Sequence, residues 1–218
     1  MTRPIRLLLA DNHALVRASL ANWLNGHEGL DVIGEAGDAD AAVELALRLK
    51  PDMVLMDIDM PGLLCFDAAR TIGQRRPETR VVFVSGYTHD RYIEGALKSG
   101  VAGYITKGEE PEVMAEAIFR IASGETWYSS EIQDRIVIDR DGPRLAVTNG
   151  DRSLPLTPRE LEVLRYIARG MSKKEIAATM HISVKTVDNH STSLMTKLDI
   201  HDRVDLARFA IRNGLIEP

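Results

Sequence analysis

Short apolar runs alternate with amphipathic stretches through the first 124 residues of this 218-residue chain. The runs at Ile5–Ala10, Asp31–Ala36, Met53–Met56, Arg80–Val84 and Ala102–Ile105 have strand length. The intervals His13–Asn25, Ala39–Leu49, Phe66–Arg75, His89–Ser99 and Pro111–Ser123 instead repeat their apolar positions with helical spacing. Five strands in strict alternation with five helices predict an α/β domain, a parallel sheet covered on both faces. Sheets of this kind place their chemistry beyond the carboxyl ends of the strands. Asp11 closes the first strand, Asp57 the third and Ser85 the fourth, and Lys107 follows the fifth. Two carboxylates, a hydroxyl and an amine therefore meet on one rim.

The last quarter changes period. Thr157, Pro158 and Glu160 form a capping box with a proline at the first helical position, and Leu161, Leu164, Ile167 and Ala168 supply an apolar stripe that Gly170 ends. A second capping box, Ser172 with Glu175, opens a short helix through Ile176, Ala177 and Met180. A third helix after Ser183 turns Val187, Leu194 and Leu198 inward and Lys185, Asp188, Asn189 and Thr192 outward. Ser191 falls where an apolar residue would help the core. A final helix, Arg203–Asn213, carries Val204, Leu206, Ala207, Phe209, Ala210 and Ile211. Two capped helices joined by a tight turn, the second with a polar face, suit major-groove reading. A helical bundle that only dimerises or docks a partner is the plain alternative.

Composition narrows the class. With 44% hydrophobic and 27% charged residues the chain suits one or two soluble domains. The overall charge is −5, yet Thr157–Pro218 holds 10 Lys and Arg against 8 Asp and Glu, so the tail is the relatively basic part. That excess is slight, so nucleic-acid binding rests on helix geometry and on the placing of Lys173, Lys174, Lys185 and Lys197. Cys65 is the single cysteine, which excludes an internal disulfide framework and a cysteine-rich zinc site. The first apolar run is cut short by Asp11, which argues against a signal sequence or membrane span and for a cytoplasmic protein. Between the modules, RDGPRLAVTNGDRS reads as an exposed linker, preceded by a possible short helix over Ser130–Ile138. The expected division is 1–124, a linker at 125–154, and 155–218.

Specific motifs add a resemblance to each half. ADN at Ala10–Asn12, VLMDIDMPG at Val54–Gly62, VVFVSG at Val81–Gly86 and GYITK at Gly103–Lys107 resemble the landmarks of a receiver domain, whose five-stranded sheet is flavodoxin-like and doubly wound. LTPRE, the KEIA at Lys174–Ala177 and the SVKTV at Ser183–Val187 resemble the LuxR-type helix-turn-helix of NarL/FixJ response regulators. The resemblance implies a two-component regulator, not an enzyme, in which a sensor histidine kinase phosphorylates Asp57 and so controls dimerisation and binding to double-stranded DNA. It further implies Mg²⁺ held by Asp57, Asp11 and the Asp59 backbone carbonyl. Lys107 and Ser85 would contact the phosphoryl oxygens, and Tyr104 resembles a switch aromatic. Lys174, Lys185, Thr186, Asp188, Asn189, Thr192 and Lys197 would face DNA.

Three departures from the pattern matter. Asn12 stands where the family has a second metal-binding acid, so the metal should bind more weakly; Asp59 could return a carboxylate from across the pocket. Leu64 and Cys65 replace the usual Asp-Gly, and Asp188 stands where a lysine is common. An aspartate near phosphates either weakens binding or accepts from a cytosine amino group, with Asn189 reading adenine. Asn12 also keeps open a degenerate receiver that controls DNA binding without phosphate. Asp57-Ile58-Asp59 looks like the Asp-x-Asp of haloacid-dehalogenase-like phosphatases. Its place on the third strand, followed by Pro61-Gly62, argues against that enzyme.

Overall fold

The computed structural model describes residues 3–60, 64–88, 90–139, 142–145, 156–198 and 200–212, in two compact units, Met1–Gly150 and Asp151–Pro218. The first unit runs β1 (Ile5–Ala10), α1 (Ala14–Asn25), β2 (Leu30–Ala36), α2 (Ala39–Leu49), β3 (Met53–Met56), α3 (Cys65–Arg75), β4 (Arg80–Ser85), α4 (Asp90–Ser99), β5 (Gly103–Thr106) and α5 (Pro111–Ala122). The strands pair in parallel in the order β2-β1-β3-β4-β5, so the order reverses between β1 and β3 as a doubly wound sheet requires. Leu8, Ala10, Val54 and Met56 pack on one face against α2, α3 and α4. Leu7, Leu9, Met53 and Leu55, their neighbours along the strands, pack on the other against α1 and α5. Burial on both faces is why these strands read as unbroken apolar runs.

Among the described residues the sheet has six strands, not the five expected. β6 (Trp127–Tyr128) adds to the edge of β5, pairing Trp127 with Gly103 and Tyr128 with Tyr104. Gly103 makes room for it, because a Cβ there would lie 2.8 Å from the Trp127 carbonyl oxygen and 2.8 Å from Ile121. The helix expected over Ser130–Ile138 is also corrected. α6 spans only Ser130–Gln133, and Ile136–Asp139 (β7) pairs in antiparallel fashion with Gly142–Leu145 (β8). Ile132 is fully buried, and Tyr128, Ile136 and Leu145 pack on the core. The stretch expected as a linker from residue 125 thus begins as part of the first unit. The rest of the linker sequence, 140–141 and 146–155, lies outside the described residues, as do Pro61 and Gly62.

The second unit holds α7 (Pro158–Ala168), α8 (Lys173–Thr179), α9 (Val184–Leu198) and α10 (Arg203–Arg212). Both capping boxes form: Thr157 and Glu160 exchange hydrogen bonds at the start of α7, as do Ser172 and Glu175 at α8. Gly170 ends the first helix at φ +80°, a conformation that costs glycine little. The Ser183 hydroxyl accepts from the Thr186 amide and caps α9. Val163, Leu164, Ile176, Val187, Leu194, Leu206 and Ala210 form the core. Val163 and Tyr166 are buried while Leu161 and Ala168 are only partly so, which rotates the apolar stripe of α7 from its expected line. Ser191 is buried too, and its hydroxyl donates to the Val187 carbonyl one turn back.

Candidate functional site

The rim at the carboxyl ends of the strands is held by backbone. The Asp57 amide donates to the Ala10 carbonyl, the Asp11 amide to Ala36, and the Lys107 amide to Ser85. These bonds fix strand ends that are far apart in sequence, and the side chains follow. Lys107 Nζ lies 2.9 Å from Asp11 Oδ2 and 3.0 Å from Asp57 Oδ2. Asp11, Asp57 and Asp59 are buried carboxylates, and Ser85 is fully buried. Burial pushes the Asp57 carboxyl above its ordinary value, against the pull of Lys107. Burial works against the Lys107 ammonium as well, but Asp57 and Asp11 outweigh it and hold the amine above its usual value.

Asp11, His13 and Asp57 each present a ligand atom, all within 4.8 Å of one another. His13, 60% exposed at its side chain, brings Nδ1 to 3.2 Å from Asp11 Oδ1. It was missed in the sequence, although an imidazole two positions after Asp11 was a legible signal. The Asn12 amide oxygen is buried without a hydrogen-bond partner. The two buried carboxylates of that cluster are hard oxygen donors that suit a divalent cation, and the amide oxygen of Asn12, next to Asp11 in sequence, is left without a protein partner. Asp59 is otherwise engaged, since its carboxylate accepts from the Tyr87 hydroxyl at 3.1 Å. It is not in the cluster that Asp11 and Asp57 form.

Behind the carboxylates the same strands carry the switch candidates. Ser85 Oγ accepts from the Tyr87 amide at 3.1 Å. Tyr104 is fully buried and donates its hydroxyl to the Tyr87 carbonyl, so its ring already points inward. Burial raises its phenol well above the ordinary value. Beside the pocket, between α1 and α5, a cavity of about 620 Å³ is lined by Leu20, Trp23 and Met114 and reaches Asp11, Asp57 and Lys107. Trp23 therefore stands near enough to report on the pocket. Leu64 and Cys65, which replace the usual Asp-Gly, end the loop and begin α3, with Cys65 buried.

In the second unit Lys174, Lys185, Asn189, Thr192 and Lys197 are exposed, and Thr186 and Asp188 are half-buried. Not all of them are free for a ligand. Asp188 binds Lys173 across the two helices and lies 3.9 Å from Lys185. That contact holds the Asp188 carboxyl below its usual value. Lys197 Nζ lies 2.7 Å from Glu160, which also accepts from Ser193. Burial alone would raise Glu160, but the bonds from Lys197, Ser193 and Thr157 bring its carboxyl down to about 2. Lys197 thus joins α9 to the cap of α7. Glu160 was read only as a cap; its second partner lies 37 residues away and leaves no local trace.

A doubly wound domain with an acid–lysine pocket, joined to a capped helix-turn-helix, defines a signal-responsive regulator with a DNA-reading output. Residues 7–119 match the response regulator receiver domain family, and residues 154–210 match the family of bacterial regulatory proteins of the luxR type. The chain is 34% identical over 215 residues to the transcriptional regulatory protein LiaR of Bacillus subtilis, covering 97% of this chain and 99% of the relative. It is 37% identical over 212 residues to the transcriptional regulatory protein MctR of Rhizobium johnstonii, covering 97% and 95%. The structure of RcsB from Salmonella enterica serovar Typhimurium, bound to promoter rprA in the presence of phosphomimetic BeF3⁻, has a similar fold. It aligns at a TM-score of 0.65 and 23% identity over 95% of this chain and 98% of that one.

The chain belongs to the response regulators that join a receiver domain to a LuxR-type DNA-binding domain, and it is a two-component regulator of transcription. Among the described residues no helix is long and apolar enough to cross a membrane.

Proposed function

We propose that a sensor histidine kinase transfers a phosphoryl group to Asp57 and that this controls binding to double-stranded DNA in the cytoplasm. The observation that carries the reading is the contact of one Lys107 ammonium with both Asp57 and Asp11. In the transfer an Asp57 carboxylate oxygen bonds to phosphorus as the bond from phosphorus to the donor's imidazole nitrogen breaks. Charge gathers on the phosphoryl oxygens, so positioning and neutralisation supply the catalysis. Lys107 offers a point charge to one oxygen and Ser85 a hydroxyl to another. A bound Mg²⁺ would neutralise further charge; Asp57, Asp11, the Asp59 carbonyl and the Asn12 amide oxygen are its ligands in this reading. On the output side the exposed faces of Lys174, Lys185, Thr186, Asn189 and Thr192 meet DNA. The exposed Val204 and Ile211 of α10 are available for a homodimer contact.

The test combines the full chain, acetyl phosphate, Mg²⁺ and a random DNA pool. A mass gain of one phosphoryl group, with spaced inverted repeats recovered only in its presence, supports the reading. No mass gain, with sites still recovered, would mean that Asn12 marks a receiver independent of phosphate.

Two substitutions probe the departures from the family pattern. Asn12→Asp adds a charge to the cation's ligand set and is expected to tighten Mg²⁺ binding about tenfold, read as a change in Trp23 fluorescence. Equal affinities would remove Asn12 from the site. Asp188→Lys frees Lys173 and adds a cation, so DNA binding is expected to be tighter, less selective and more steeply salt-dependent, by about two in the log–log slope. Lost affinity would instead make Asp188 a base-reading residue.

A further inference from the structure

Neither family match covers residues 120–153, yet the described part of that stretch is built into the first unit. Ser129 is fully buried; its hydroxyl accepts from the Thr106 amide and its own amide donates to the Tyr104 carbonyl. Arg135 stands just before the β7–β8 hairpin. Its guanidinium donates to the Thr88 carbonyl and pairs with Asp90, the first residue of α4. The hairpin packs on α4.

The loop that Arg135 grips is the one that leaves the pocket. Three residues before Thr88, Ser85 Oγ accepts from the Tyr87 amide, and Tyr87 also donates its hydroxyl to Asp59 and accepts from Tyr104. Ser85 and Tyr87 are thus held by the aspartate pocket, and Thr88 and Asp90 by Arg135. We propose that Arg135 is a positioning residue that couples the state of the Asp57 pocket to the β7–β8 hairpin.

The inference rests on the phosphoryl reading and deepens it. Ser85 Oγ, which accepts from the Tyr87 amide, is also the atom that would donate to a phosphoryl oxygen, so a turn of this hydroxyl toward Asp57 pulls on the Tyr87 amide. Thr88 is the next residue, so its carbonyl shifts relative to the guanidinium. An isolated two-stranded hairpin is marginal in water, so its order depends on what docks it. Arg135 and Asp90 are 32% and 23% exposed at their side chains, so water reaches the clasp and can solvate both groups when it opens. The position suits an output path, because β8 ends at Leu145 and the match to the DNA-binding family begins at residue 154. Arginine is the residue for this task, since its planar fork can serve a carbonyl and a carboxylate together and a lysine cannot do so with fixed geometry.

Hydrogen exchange on the full chain, with intact mass read on the same samples, tests this. In the wild type, phosphorylation by acetyl phosphate and Mg²⁺ is expected to speed amide exchange across residues 136–145, by a factor within the roughly 5- to 150-fold range of ordinary site coupling. Arg135→Gln is expected to exchange fast there before phosphorylation and to show no further response, while still gaining the phosphoryl mass and keeping the protection of β1 and β3. Arg135→Lys retains the charge and loses the fork, so its response is expected to be partial. It also serves as the test if Arg135→Gln loses protection throughout the sheet. Phosphorylated wild type with unchanged hairpin exchange, or an Arg135→Gln protein that responds as wild type does, overturns the coupling alone. Absence of any phosphoryl mass gain overturns the phosphoryl reading and the coupling with it.

Discussion

Asp57→Asn is expected to abolish phosphoryl incorporation from acetyl phosphate and Mg²⁺, a loss of at least about 100-fold in the rate of mass gain. The amide has the carboxylate's shape and can still accept from Lys107, but it has no anionic oxygen to bond to phosphorus. The fold is expected to survive. Burial holds the Asp57 carboxyl above its ordinary value, so ionising it costs stability. The sign follows from the proton count. Between its unfolded value of 3.8 and its higher folded value, the folded chain holds a proton that the unfolded chain has released, so stability falls as pH rises through that window. The neutral amide removes that dependence, and at neutral pH the variant is expected to melt no lower than the wild type. Retained incorporation would move the phosphoacceptor elsewhere, and a clear drop in melting temperature would make Asp57 a structural partner of Lys107.

The second large effect is expected in the other unit. Leu194 is fully buried in α9, in a core that also contains Val163, Leu164, Ile176, Val187 and Leu206. Replacing it with alanine is expected to cost about 2–5 kcal/mol through lost burial and the cavity left behind. A unit of this size buries a small core and has little stability to spare. Leu194→Ala is therefore expected to melt the helix-turn-helix near physiological temperature and to end DNA binding, while Asp57 is still phosphorylated because the sheet has its own core. Thermal melting followed by circular dichroism, with intact mass and DNA binding on the same protein, checks this. Normal DNA binding by the variant would show that α9 does not depend on this core.

How much was legible depended on whether a signal was local. Ile5–Ala10, Met53–Met56 and Ala39–Leu49 were placed to the residue, because a strand buried on both faces reads as a short unbroken apolar run and an amphipathic helix writes its period along the chain. The caps at Thr157 and Ser172 were equally plain, since each needs only a partner three residues on. Trp127–Tyr128 is too short to show a period. Ile136-Val137-Ile138 is an apolar run that a helix or a strand could use, and its choice was made by pairing with Gly142–Leu145. The Lys173–Asp188 and Lys197–Glu160 bonds were not legible, because nothing in the spacing of those residues requires them to meet.

Local periodicity and capping were enough to place the five main strands, the helices between them, the capped helices of the second unit and the side chains that end each strand, since backbone geometry and the need to bury apolar faces act over a few residues. The doubly wound order was implied by the receiver motifs. The sixth strand, the clasp at Arg135 and the pairing of Asp188 and Lys197 inside their own unit were decided in three dimensions. Asp11 and Lys107 stand 96 positions apart and meet at 2.9 Å only because the assembled sheet aligns the ends of their strands. Distances of that kind depend on packing across the whole domain, which no short stretch of chain encodes.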